Sequence, residues 1–407
     1  MPNPRLYLRP PIPHSPWESQ AKQRRTFDDP IAYRKPQPQF IPLPNTNRVN
    51  LNLPLRAVMA DDWIVQAGKL VFHAVGDTGG IHGTDVQEAI AQQLEQQVEG
   101  AVASQKPAFF YDLGDVIYYN GQSEFYRTQF YEPYQYYKPF IFAIPGNHDG
   151  DTQVRRNDPP VSEPSLTGFM TNFCAEQPEF LFPYRATMTQ PYVYWTLEAP
   201  FLTLIGLYSN VDGSLDGRGG VEQERWLQDQ LAQAPTDKCL IVAVHHPPYS
   251  LDSHHGGAPE VLVALDRAIT ASKRQPNAVF SGHVHSYQRF TRRIGGQQMA
   301  YVVAGAGGYA NTSKALHKLQ LDPSGKPIQT PFQTTEPDVV LESYNDSNPG
   351  FLRVTVDNQT LTCEYFLVPF VGTPPAKPFD QFSLNWRNYK LATASPARPA
   401  RKPKKLR

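Results

Sequence analysis

The chain has 407 residues, 40% of them hydrophobic and 19% charged, a globular composition long enough to bury a substantial core. Lys plus Arg and Asp plus Glu stand at 38 each, a balance that offers no overall attraction for nucleic acid or anionic membranes. No apolar run approaches the length of a membrane span and no N-terminal stretch has the order of a secretory signal, so the expected location is cytoplasmic.

Residues 1–66 are rich in Pro, Asn, Gln and Arg and read as an extended arm with polyproline character, in which Trp17, Phe40, Ile41 and Leu43 are apolar enough to pack on a core. The main domain is expected over 67–370. It begins with the β-branched run KLVFHAV, a strand ending at Gly76. TDVQEAIAQQLEQQVEG follows, with Val86, Ile90, Leu94 and Val98 on one helical face and Thr84 or Asp85 as cap. Strands are then predicted at AFFYDL, FIFAIP, FLTLIGLYS, LIVAVHH, AVFSG and AYVVAGAGG, with helices at EQERWLQDQLAQ and PEVLVALDRAITASK. FLRVTV and TLTCEYFLV form a closing hairpin around Asp357-Asn358. Residues 371–407 read as a Pro-rich, basic tail ending in RKPKKLR, solvated rather than bound to nucleic acid.

Three cysteines, Cys174, Cys239 and Cys363, show neither a disulfide framework nor a zinc-ribbon spacing, and Cys239 lies in an apolar run as a buried thiol would. Metal binding therefore falls to His, Asp, Asn and Tyr. Those residues gather at strand ends: Asp77 after the first strand, Asp115 after the second, Asn147 and His148 after the third, then His245-His246 and His283-x-His285. Of 11 histidines, seven lie in these ends or in the loop just beyond, counting His254 and His255. Ligands bind outside the carboxyl ends of strands in α/β sheets, and clustered histidines with carboxylates at loop tips describe a metal site. Gly76, Gly114, Gly146 and Gly282 each precede a candidate ligand, where the backbone turns sharply. Mixed oxygen and nitrogen donors without thiolate suit Fe, Mn or Zn, and six or more donors suit two ions about 3.5–4 Å apart that clamp an in-line displacement at phosphorus.

The series resembles the five motif blocks of the purple acid phosphatases, a branch of the calcineurin-like metallophosphoesterases. The blocks stand here as Asp77-Thr78-Gly79, Gly114-Asp115-Val116-Ile117-Tyr118, Gly146-Asn147-His148-Asp149, Val242-Ala243-Val244-His245 and Gly282-His283-Val284-His285. The resemblance implies an α/β fold of two mixed β-sheets packed face to face with helices outside. It implies an Fe(III) ion on Asp77, Tyr118 and His285, a bridging Asp115, and a divalent Fe, Zn or Mn ion on Asn147, His245 and His283. His148 would face the substrate phosphate, with His254 and His255 as further substrate-facing histidines. Most calcineurin-like enzymes carry D-x-H in the first block. Here Gly79 replaces that His and Tyr118 enters the second block, as in the purple branch.

The expected activity is hydrolysis of small phosphomonoesters by a metal-bound hydroxide. The alternatives are a phosphodiesterase on the same site, acting on cyclic nucleotides or phospholipid headgroups, and a non-catalytic metal-binding scaffold, against which the intact ligand set argues. His73 and His82 are expected to be structural, His246 to have a supporting role or none, and Arg289 to serve a structural ion pair. Loops 150–190 and 312–345 are where substrate choice should lie.

Overall fold

The computed structural model describes residues 39–153 and 161–392. Trp17 and the basic C-terminal tail lie outside these residues. Among them, two mixed sheets pack face to face with helices on the outside. One sheet runs in the order Lys390–Leu391, Asp380–Asn385, Thr360–Leu367, Gly350–Asp357, Lys69–Val75, Phe109–Asp112, Phe140–Ala143. The other runs Asn52–Pro54, Trp195–Ala199, Leu202–Leu207, Cys239–Val244, Ala278–Ser281, Gln297–Ala304, Tyr287–Ile294, Val339–Asn345, Phe332–Gln333.

The strand period of two sorts each side chain into its layer. In Cys239–Val244, Cys239, Ile241 and Ala243 join the core between the sheets, while Leu240, Val242 and Val244 meet the helices Glu222–Gln233 and Pro259–Ser272. Because both faces are covered, the run is apolar throughout rather than alternating. Between the sheets, Trp195 lies 6.0 Å from Tyr111 and 5.6 Å from Phe142, ring centre to ring centre. Cys174, Cys239 and Cys363 are buried free thiols.

The helix Asp85–Glu99 buries Ile90, Leu94 and Val98 as its periodicity predicts. Thr84 occupies the capping position, but its hydroxyl goes to Glu88 Oε1 at 2.6 Å and makes no backbone cap. The expected boundaries at 66 and 370 are not edges of the fold. Asn52–Pro54 pairs with Trp195–Ala199, and Asp380–Asn385 pairs with Thr360–Leu367. Phe40 and Leu43 also reach the body, Phe40 over Gly217 and Leu43 against the main core. A three-residue strand carries too few side chains to show a period, so backbone pairing recruits it where pattern reading sees only loop. No helix among the described residues is long and apolar enough to cross a membrane.

Candidate metal centre

Lys69–Val75, Phe109–Asp112 and Phe140–Ala143 are adjacent and parallel in one sheet, so their ends deliver Asp77, Asp115 with Tyr118, and Asn147 with His148 to one place. Cys239–Val244 and Ala278–Ser281 are adjacent and parallel in the other, and deliver His245, then His283 and His285. The oxygen donors therefore come from one sheet and the imidazoles from its partner. Backbone bonds stitch the two together, as where the Gly76 N–H donates to Ala304 O at 2.9 Å. Asp77, Asp115 and His283 have φ of 59°, 57° and 65°, the left-handed region that L-residues seldom occupy. Two glycines are obligatory. Gly114 has φ 97° and packs where a Cβ would lie 2.6 Å from His245 Nδ1, and a Cβ on Gly146 would collide with Asp115.

The donors fall into two groups. Asp77 Oδ1 lies 3.2 Å from the Tyr118 hydroxyl and 3.2 Å from His285 Nε2, and the latter two atoms are 3.4 Å apart. His245 Nε2 lies 3.3 Å from Asp115 Oδ2, and Asn147 Oδ1 lies 2.9 Å from His283 Nδ1. Ligand atoms of Asp115, His245 and His283 all lie within 4.8 Å of one another. Donors about 2.1 Å from one ion stand about 3.0 Å apart in an octahedron and about 3.4 Å apart in a tetrahedron, so these spacings fit shared ions. Asp77 Oδ2 and His245 Nε2 are buried without a hydrogen-bond partner, a costly state that an ion relieves. His245 is oriented for this role, since its Nδ1–H donates to Leu113 O at 2.8 Å and leaves Nε2 facing the centre.

Electrostatics tell the same story. Burial pushes the Asp77 carboxyl up despite its contact with His285. Burial acts likewise on Asp115, but His245 and His148 beside it outweigh that and hold it below the usual carboxylate range. Burial disfavours charge on His245, yet Asp115 and then Asp77 raise it to about 9. Burial, then the Asp115 and Asp77 charges, push the Tyr118 hydroxyl well up. A buried site whose carboxylates, phenol and imidazoles shift one another this strongly is a functional-site candidate.

The surrounding residues were only partly legible in the sequence. His148 is held by its Nδ1–H donating to Tyr119 O at 2.9 Å and its backbone N–H donating to Asp115 Oδ1 at 2.8 Å. His254 and His255 reach the site on a loop whose turn is tied by Asp252: its Oδ2 accepts both backbone N–H groups, at 2.8 and 2.7 Å. The His255 ring lies 4.2 Å from that of His283. His246 packs 4.1 Å from His283 and contacts Ser209 Oγ at 2.8 Å, while burial and then His245 push its imidazole well down. His73 is buried between Tyr137 and Gln97 away from the centre, and Arg289 is paired with Asp380 at 2.7 Å. His82 meets the Tyr119 hydroxyl at 3.0 Å, close behind Tyr118. Sequence reading missed Gln129 and His317, and saw Asp149 only as the last residue of its motif block. Gln129 holds both the N–H and the C=O of Tyr118, at 3.0 and 2.9 Å. Asp149 accepts from the backbones of Val116, Ile117 and Gly146, tying the second motif block to the third. His317 stacks on His285 and comes from the 312–345 region.

Residues 70–287, more than half of the chain, match the family model described as calcineurin-like phosphoesterase. The chain belongs to this family. Its chemistry is metal-dependent phosphoester hydrolysis, and within the family it resembles the purple acid phosphatases. It is 25% identical to tartrate-resistant acid phosphatase type 5 of Homo sapiens over 313 residues, covering 73% of this chain and 86% of that one. A protein of Arcobacter nitrofigilis named as a probable glycerophosphodiester phosphodiesterase is 26% identical, covering 44% of this phosphoesterase and 57% of the relative. The solved purple acid phosphatase PPD1 of Lupinus luteus seeds superposes with a TM-score of 0.56 at 18% identity, covering 78% of this chain and 54% of the lupin chain.

Proposed function

We propose that this phosphoesterase hydrolyses small phosphomonoesters at a centre of two metal ions. The observation that carries the reading is the pairing of donors into two groups flanking Asp115, whose Oδ2 faces His245 while its charge acts on Tyr118. One group is Asp77, Tyr118 and His285; the other is Asn147, His245 and His283, with Asp115 shared. The side with a carboxylate, a phenol and one imidazole suits Fe(III), and the side with two imidazoles suits a divalent Fe, Zn or Mn. Two such ions supply Lewis acidity at the phosphoryl oxygens and an acidified water for in-line attack.

The chain's own groups complete the chemistry. Because the His148 Nδ1–H is engaged by Tyr119 O, the exchangeable proton of its imidazolium sits on Nε2, where it can pass to the leaving alkoxide. Asp115 Oδ1 holds the His148 backbone, so the acid is fixed relative to the donors. His254 and His255, spaced by Asp252, add N–H donors for a phosphate dianion. Several converging donors favour a dianionic monoester over a monoanionic diester. The resemblance to the Arcobacter protein supports diester hydrolysis as the second reading.

The test is turnover of an aryl phosphate against an aryl phosphodiester, with elemental analysis of the same preparation. Two ions per chain and faster monoester cleavage are expected, and His148→Ala should keep both ions while kcat falls by about 10²–10⁴-fold. Faster diester cleavage selects the second reading. Metal content of zero after reconstitution with iron, zinc and manganese removes both.

A further inference from the structure

We propose that His317 is a positioning residue that couples the metal side of this site to its substrate side, its ring held as the Nε2–H tautomer; the proposal rests on the phosphoesterase reading above. His254, His255 and His317 place ligand nitrogens within 4.8 Å of one another, the spacing of a three-histidine metal site. Hydrogen bonding rules that use out. His317 Nδ1 accepts the backbone N–H of His285 at 3.1 Å, and the backbone N–H of His317 donates to His285 O at 3.0 Å. A neutral imidazole has one lone pair, and here Nδ1 has spent it on His285. The proton therefore sits on Nε2, and the ring has no electron pair to give an ion.

The same ring is stacked on both sides. His285 lies 4.2 Å away at 15°, and His254 lies 4.3 Å away at 27°. Its carrier segment is anchored to the base of the substrate-side loop. The Ser253 N–H donates to Lys318 O at 2.8 Å, and the Gln320 N–H donates to Leu251 O at 2.8 Å. Between those anchors sits Asp252, which sets the turn of His254 and His255. One buried side chain thus fixes a candidate metal ligand through its backbone and a candidate substrate histidine through its face. The distance between ion and phosphate is set by His317 as well as by the ligands.

Two variants separate the two contacts. His317→Asn keeps an acceptor for the His285 N–H and loses the stack, so KM and the phosphate inhibition constant should rise by about fivefold with kcat little changed. His317→Phe keeps the stack and loses the acceptor, so metal affinity, read by chelator competition, should fall by about tenfold. Long-range proton–nitrogen NMR of the wild-type holoenzyme should show His317 as the Nε2–H tautomer, and zinc titration should end at two equivalents. The proposal is overturned by an Nδ1–H tautomer, or by a third zinc equivalent that His317→Ala removes. It is equally overturned if both variants lower Tm while KM, phosphate inhibition and metal affinity stay at wild-type values. A wild type that cleaves no phosphoester defeats the functional reading instead, and the tautomer and zinc count still decide the role of His317.

Discussion

Tyr118 is placed by its backbone as much as by its ring. The Gln129 amide engages its N–H and its C=O together, and the missing side chain of Gly79 makes room for the ring, since a Cβ there would lie 2.8 Å from Tyr118 Cδ2. Gln129→Leu should keep the fold and weaken metal binding on the Tyr118 side by about 10- to 100-fold, the usual effect of losing a ligand's support. Chelator competition measures it, and an unchanged affinity would show that the clamp is idle. His73 gives a pH prediction with the opposite sign to a salt-bridged histidine. Burial lowers its imidazole from 6.5 to about 3, so between those values the unfolded chain binds the extra proton. Its contribution is complete above pH 6.5 and is lost as pH falls toward 3, by a few kcal/mol at about 1.4 kcal/mol per pKa unit. Urea midpoints against pH should show this slope, and His73→Leu should flatten it. The candidate ligands were legible because they gather in short blocks at strand ends, four of them directly after a glycine. Gln129 and His317 were not, because each acts through hydrogen bonds to residues 11 and 32 positions away with no local spacing to mark it; Asp149 was visible in its block, but not its hold on Ile117, 32 positions away.

Among the elements, the central strands and the three long helices could be read because burial on two faces or one stripe writes a period into the side chains. Edge strands carry less of that signal. Phe382 and Leu384 do alternate inward in Asp380–Asn385, but they follow a Pro-rich stretch that masks them. This strand matters beyond its ladder, because Asp380 accepts from Arg289 through two nitrogens and from the Tyr287 hydroxyl, with both charged side chains 12% exposed. Asp380→Ala leaves Arg289 buried without its carboxylate, and such losses cost about 3–5 kcal/mol. Burial opposes ionisation of Asp380, but Arg289 prevails and holds it below its ordinary value. The pair's contribution is therefore full above the usual carboxylate range and disappears as pH falls through the depressed value. Denaturation of wild type and variant at neutral and acidic pH should converge at the acidic end; parallel curves would remove the pair from the account. Truncation at 370 should likewise destabilise the fold.

Across the whole molecule, the two sheets meet at the proposed ions as well as in the core. Oxygen donors arrive from the sheet containing Lys69–Val75 and imidazoles from the sheet containing Cys239–Val244. Metal removal should therefore lower Tm with little loss of secondary structure, since each sheet keeps its own ladder. At ion concentrations about 100-fold above Kd the stabilisation is about 2.7 kcal/mol per ion. A Tm indifferent to chelation would mean that the ions do not span the sheets. The division of donors also makes the centre a gauge. Trp195 and Tyr111 form part of the spacer between the sheets, and the Trp195 Nε1–H donates to Ala143 O at 3.2 Å, four residues before Asn147. Shrinking that spacer with Trp195→Phe tilts one set of donors against the other without touching a ligand. A cobalt-loaded protein would report the tilt as a change in colour, so that the packing of the core can be read with a visible-light spectrometer.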